Sequence, residues 1–331
     1  MTTTAWAGLD PARRERFERA INVSGAGSVL VQNFTNRIIQ QLTIREQGAG
    51  ATLPRKPGSG SQAVINRRSG SSMTASNVWV ADTDSVTEST GSVAQATFSY
   101  ATLATRGKVT RKMRAIGRSY VDILAEEMLA KADDWNESLE SALFIGDSAA
   151  ITNQIDGLLT LINAVSGQVV AQTSAAGGDD LSLAKLDETI DSVKGAGNRA
   201  DLVIYASFLG ARKLNAALDS RQRFNDMIEI SAGFRVRQYD GIPVVVSTGL
   251  GDDLSWSGSA VTGLSGESTN PTTALVVVNK RHVWIEELTP MTMMPLARDD
   301  SQYEQFDIFG DMALVQANTM GGALLGGISI A

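Results

Sequence analysis

The chain has 331 residues, 43% of them hydrophobic and 20% charged, with a net charge of -7. That length suits about two lobes with a sizeable core, and the acidic balance argues against a surface that is basic overall and grips nucleic acid. There is no cysteine and one histidine, so disulfides, thiolate metal sites and cysteine nucleophiles are excluded, and packing and subunit contacts must supply stability.

From Met1 to Asp10 no basic flank precedes an apolar core, and no apolar run approaches a membrane span. A soluble protein made in a cytoplasm is expected. Asp10 and Pro11 open a short helix, because Asp caps well and Pro fits the first helical position. Arg13, Arg14, Arg16 and Arg19 alternate there with Glu15 and Glu18 around a thin stripe of Phe17, Ala20 and Ile21. Such a helix is either solvated or an arm docked on a neighbour. Val29 to Ile44 reads as a stiffer connector, closed by Gly48-Ala49-Gly50.

Ala51 to Thr105 is rich in Ser, Thr and Gly, with scattered apolar residues such as Val64, Ile65, Trp79, Val80, Val93 and Phe98. Helical periodicity is absent, and stretches such as Asn77–Val80 and Ala96–Tyr100 suit strands. The pattern predicts a long two-stranded arm. An isolated hairpin buries too little apolar surface to offset the ordering of its backbone. Its order is therefore expected to come from another molecule. One limb of the arm is basic (Arg55, Lys56, Arg67, Arg68) and the other acidic (Asp82, Asp84, Glu88). A run of six basic residues without an acid follows from Arg106 to Arg118, including Arg111, Lys112 and Arg114. Charge runs of this kind are either solvated faces or contacts between subunits that fix their register. Arg55, Lys56, Arg67, Arg68, Trp79, Asp82, Asp84, Glu88, Arg111, Lys112 and Arg114 are the candidate contact residues on the second reading.

Ser119 to Ile145 predicts a long helix, with Val121, Leu124, Met128, Ala132, Trp135, Leu139 and Leu143 on one apolar face. Ser119 and Asp122 form a weak capping box, and Gly146 ends the helix. At ~1.5 Å per residue it is roughly 37 Å long, enough to organise a domain. Its carboxylates Glu126, Glu127, Asp133 and Asp134 read as the solvated side.

From Leu158 strands and helices alternate. Leu183, Leu186, Ile190 and Val193 mark an amphipathic helix ended by Gly195; Leu202–Tyr205 is a buried strand, and Ser207 caps a helix running to Leu218. Asp240-Gly241 joins two strands as a hairpin turn, with Pro243 near the start of the return strand. Gly249 to Thr273 reads as a flexible loop. Ala274–Asn279, Val283–Glu287 and Gln305–Asn318 read as strands, and the glycine-rich stretch Gly321–Ile330 as a flexible tail. The interrupted order suggests a second lobe inserted between pieces of the first.

No catalytic constellation is visible. His282 lacks partners that would make it a nucleophile's base or a zinc ligand. Gly195-Ala196-Gly197-Asn198-Arg199-Ala200 fits a loose dinucleotide pattern, but it follows a helix and precedes a strand, the reverse of the required order. It reads as a turn. Gly58-Ser59-Gly60-Ser61 lacks the lysine of a phosphate-binding loop.

The assembled order resembles the major capsid protein of tailed double-stranded DNA bacteriophages, the Hong Kong 97 fold. Arm, two-stranded extension, basic strand, long helix, inserted lobe and returning strands follow in that sequence. Tyr120–Glu127, then Trp135, Glu140 and Ala142–Asp147, then Gln154–Leu159 are similar to the family's passage from spine helix to inserted lobe. Tyr239–Val246 resembles its "dGiPVv" hairpin, and Tyr303–Leu314 its final strands. The resemblance covers nearly the whole chain.

What it implies is an α+β subunit divided into an N-terminal arm (1–50), an extended loop (51–105), a peripheral lobe with the spine helix (106–152 and 274–331) and an axial lobe (153–273). Such a subunit is a structural protein, not an enzyme, without cofactor or metal. It forms pentamers and hexamers of an icosahedral shell around packaged double-stranded DNA, assembled in the host cytoplasm. A portal and a decoration protein are among the implied partners; the arm begins within about fifty residues of Met1, so either a separate scaffolding protein or a precursor cleaved to start at Met1 is expected. Some family members weld neighbours through an extended-loop lysine, but Lys56 stands at the base of this arm and no lysine follows until Lys108. Cohesion by packing and charge alone is expected. An encapsulin-type compartment or a gene transfer agent capsid shares the fold and is the alternative.

Overall fold

The computed structural model describes residues 48–68, 79–83, 91–117, 123–175, 177–219, 227–231, 234–262, 271–296 and 302–330. The expected N-terminal helix, the 29–44 connector and the Ser119–Asp122 capping box lie outside them. The strands in chain order are β1 (Arg55–Pro57), β2 (Gln62–Arg68), β3 (Val93–Ser99), β4 (Ala101–Thr110), β5 (Val169–Ala171), β6 (Leu202–Ala206), β7 (Met227–Ser231) and β8 (Phe234–Tyr239). They continue with β9 (Ile242–Val246), β10 (Ser255–Trp256), β11 (Val261–Thr262), β12 (Thr272–Asn279), β13 (Val283–Pro295), β14 (Tyr303–Gln316) and β15 (Gly322–Ser329).

One sheet has seven strands in the order β5-β15-β12-β6-β9-β8-β7. Its central strands are apolar at consecutive positions because both faces are covered. In β12, Ala274, Val276 and Val278 join a core with Trp135, Leu143, Phe144 and Tyr205. Leu275 and Val277 point the other way, onto Leu186 and Ile190 of the helix Leu183–Ser192 and Leu214 of the helix Phe208–Asp219. These two helices follow the expected pattern, and the Ser207 hydroxyl accepts the Gly210 N–H at 2.9 Å, as a cap should. The β8–β9 turn also follows it: Asp240 and Gly241 both have positive φ (49° and 75°), the hairpin turn that matches strand twist.

Glycine misleads in two places. The Gly321–Ile330 stretch is not a flexible tail but β15, buried between β5 and β12. Its glycines make room: a Cβ on Gly326 would stand 2.5 Å from the Trp256 ring. The described part of Gly249–Thr273 is likewise anchored rather than free, because Leu250, Leu254, Trp256 and Val261 are buried and Trp256 Nε1 donates to the Thr173 carbonyl at 2.8 Å.

The second sheet has the order β1-β13-β14-β4. The long helix, Ile123–Ile145, lies on β4 and β14 with Trp135, Leu139 and Leu143 buried and Leu124, Met128 and Ala132 packed beside them. Trp135 Nε1 donates to the Leu103 carbonyl at 2.9 Å. Gly146 stops the helix as expected, with its N–H on the Ala142 carbonyl. The basic run is strand only as far as Thr110; Arg111–Gly117 is helical. The ladder ends there, since Thr110 pairs with Tyr303, the first residue of β14, and the Thr110 hydroxyl then accepts the Met113 N–H. Two connections, Lys280–His282 and Ala317–Gly321, run side by side between the sheets, with the Ala317 N–H on the His282 carbonyl at 2.7 Å.

Candidate assembly surface

The hairpin β2–β3 is antiparallel, with Ala63 opposite Phe98 and Ile65 opposite Ala96. Alternation puts these pairs on one face and Val64–Thr97 and Asn66–Gln95 on the other. The first face is not left for another molecule, as the sequence suggests. Ala63 is buried with Trp284, Ala313 and Val315 of the chain's own second sheet, and Ile65, Phe98 and Tyr100 pack against them. Arg67 donates to the Ala317 and Gln316 carbonyls at 3.0 and 2.5 Å. The expectation failed because apolar residues at every second position of two limbs coincide only once register is known. On the outer face, Val64 is 47% and Val93 64% exposed. Further along the arm, Trp79 is 84% exposed. A tryptophan so open to water is the largest apolar group that the described surface leaves uncovered.

The candidate contact residues divide by position. Four are engaged within the chain. Arg55 pairs with Glu287 at 2.5 Å, and the Lys56 ammonium stands 3.3 Å from the Trp284 ring centroid. Arg67 binds the carbonyls just named, and burial lowers its pKa. Arg114 donates to Glu304. Arg68, Trp79, Asp82, Arg111 and Lys112 are exposed. Asp84 and Glu88 lie outside the described residues. Within the basic run, Arg106 makes a two-bond fork with Asp307 at 2.6 and 2.8 Å, which holds the Asp307 carboxyl below the usual range. Lys108 stands 3.6 Å from the Tyr303 ring centroid. Beside the hairpin root, burial and the Glu286 carboxylate push the Tyr100 phenol up to about 12. Among the described residues no cluster of three or more His, Asp or Glu could hold a metal, and no helix is long and apolar enough to cross a membrane.

A second apolar strip was not read from the sequence. Leu288, Met291, Met293 and Met294 on β13 are 42–52% exposed, where β13 has passed the last residue paired with β1. The charge-free run Thr289–Leu296 was its signal. Glu140 was missed too. It sits beside Leu139 at the rim of the helix's apolar stripe, and it is 2% exposed.

Neither a protein-family model nor a curated protein matches the chain. Solved structures do. The capsid of a native GTA particle is similar at 16% identity with a TM-score of 0.67, over 93% of this chain and 98% of that one. The SrpI encapsulin of Synechococcus elongatus PCC 7942 is similar at 13% identity and a TM-score of 0.64, over 94% and 97%. The capsid of cyanophage A-1(L) is similar at 14% identity and 0.63, over 91% and 98%. These likenesses concern the fold: the chain has the α+β fold of Hong Kong 97-type phage capsid proteins.

Proposed function

We propose that the chain is the major capsid protein of a tailed bacteriophage, forming pentamers and hexamers of an icosahedral shell around double-stranded DNA. The observation that carries this reading is the end-to-end likeness to shell subunits, 91% of this chain on 98% of a cyanophage capsid protein. The exposed outer face of β2–β3 and the β13 strip supply apolar surface for neighbours. The likenesses to an encapsulin and to a GTA particle capsid at comparable coverage favour the second reading, a compartment shell or a gene transfer agent capsid.

In the capsid reading, the lobes follow the sheets. The axial lobe is drawn as 153–273, and the pairing of residues 274–279 and 322–329 within the seven-stranded sheet supports counting them with it. The extended loop is drawn as 51–105, and the pairing of β1 and β4 within the four-stranded sheet supports taking the part between them as its projecting portion. The remaining contact candidates, the separate scaffolding protein, the portal and any decoration protein belong to the same proposal, as do a virion location and assembly in the host cytoplasm.

Electron microscopy of the expressed chain tests the reading, with closed shells expected and only monomers overturning it. Cargo decides between the two shells: packaged genome with portal supports the virus, an enclosed enzyme the compartment. Deleting Ser69–Gly91 should leave a folded subunit that makes no shells. Denaturing electrophoresis of particles should give a free monomer band, whereas a covalent ladder would refute cohesion by packing and charge.

A further inference from the structure

Glu140 presents a buried carboxylate to two other parts of the chain. Its Oε1 accepts the backbone N–H of Gly48 at 2.6 Å and of Ala49 at 2.7 Å, and its Oε2 accepts that of Gly50 at 2.7 Å. The fourth donor is the Ser247 hydroxyl, 2.6 Å from Oε1, which itself accepts the Gly249 N–H at 3.0 Å. Charge-assisted bonds of this length offset the cost of burying the ion. Ser247 follows β9, whose neighbour β6 holds it through the Ser247 N–H on the Ala206 carbonyl at 2.9 Å. Glu140 thus ties the incoming chain and the seven-stranded sheet to a helix packed on the other sheet. Thr52 strengthens the same point: its hydroxyl donates to the Gly48 carbonyl and lies 2.6 Å from the Tyr205 hydroxyl of β6.

We propose that Glu140 is a latch that couples the position of Gly48–Gly50 to the seating of the seven-stranded sheet on the long helix. Tilting the sheet carries Ser247 away from Oε1 and frees the carboxylate to turn, which loosens all three N–H groups. Withdrawing Gly48–Gly50 leaves the buried carboxylate with one donor, an arrangement costly enough to open the seating. Linkage requires the two effects to be equal. A shell that places one sequence in rings of five and of six can use this coupling to match arm and lobe angle; that use rests on the capsid reading, the latch does not.

Amide exchange on dissociated full-length subunits tests it, comparing wild type, Glu140→Gln and Ser247→Ala. Glu140→Gln is expected to speed exchange by about a hundredfold at Gly50, whose acceptor Oε2 becomes an NH2 group while the remaining amide oxygen serves Gly48 and Ala49. Ser247→Ala touches none of those amides, yet it should speed their exchange about tenfold, a usual size for coupling between linked sites. Unchanged exchange at Gly48–Gly50 in Ser247→Ala overturns the latch. If Glu140→Gln fails to fold, the serine variant, which loses one hydroxyl, decides alone. Shell formation is scored separately by microscopy, so a subunit that never assembles defeats the capsid reading and leaves the exchange result standing.

Discussion

β12 and β13 are consecutive strands joined by Lys280, Arg281 and His282, yet their surroundings are opposite. β12 is buried at every residue, between β15 and β6 and beneath helices on both faces. β13 is buried only at Val283–Ile285 and carries exposed leucine and methionines beyond. A strand completed by its own chain needs nothing further. A strand that leaves apolar side chains in water still has surface to offer, and the outer face of β2–β3 belongs to this second kind.

The comparison is sharpest where a substitution should act on one side alone. Trp256→Ala removes the ring that fills the space over Gly326 and Gly327, and should cost about 3–5 kcal/mol in urea unfolding. On the other side, Val64→Asp with Val93→Asp should change subunit stability by about 0.5 kcal/mol or less. Shell yield, read by sedimentation, should nevertheless fall at least tenfold on the capsid reading. A double variant that assembles normally would show that the outer hairpin face stays bare in the shell.

Smaller effects are expected at the connection between the two strands. Burial, and then Arg281 and Lys194, lower the His282 pKa from 6.5, with Asp201 opposing. A histidine whose folded pKa lies below the unfolded value contributes stability that is complete above about 6.5 and is lost as pH falls through the folded value. Melting temperature should therefore decline more steeply on acidification in wild type than in His282→Gln. Parallel curves would remove His282 from the account. The smallest effect is expected at the Arg106–Asp307 fork, where the arginine side chain is 61% exposed. Arg106→Ala should cost about 0.2–1 kcal/mol, less at high salt. The lowered Asp307 pKa means that this contribution holds above the ordinary carboxylate range and fades as pH falls through the folded value.

What could be read from residues alone was whatever one element decides for itself. The long helix, the helices ended by Ser192 and begun after Ser207, the Asp240-Gly241 turn and the buried strand at Leu202 all declare themselves by spacing, caps and turn chemistry. The misses depend on partners. Gly326 and Gly327 look flexible until Trp256 occupies the space they leave. Ala63 and Phe98 look sparse until register sets them on Trp284. Glu140 looks like another solvated carboxylate until three backbone N–H groups converge on it. The same holds for the candidate contacts: Arg55 and Arg114 belong to basic runs along the chain, and only topology brings Glu287 and Glu304 to them.

One pairing has a consequence for how the molecule comes into being. β5 runs parallel to β15, Val169 beside Leu324, although almost half the chain lies between them. At about 5–20 residues per second a ribosome takes roughly ten to thirty seconds to cover that interval. During that wait β5 lacks its neighbour, and in the last part of it, once β12 has been made, the edge of β12 that β15 will cover stands open too. The seven-stranded sheet is therefore completed only when β15 emerges and slots between β5 and β12.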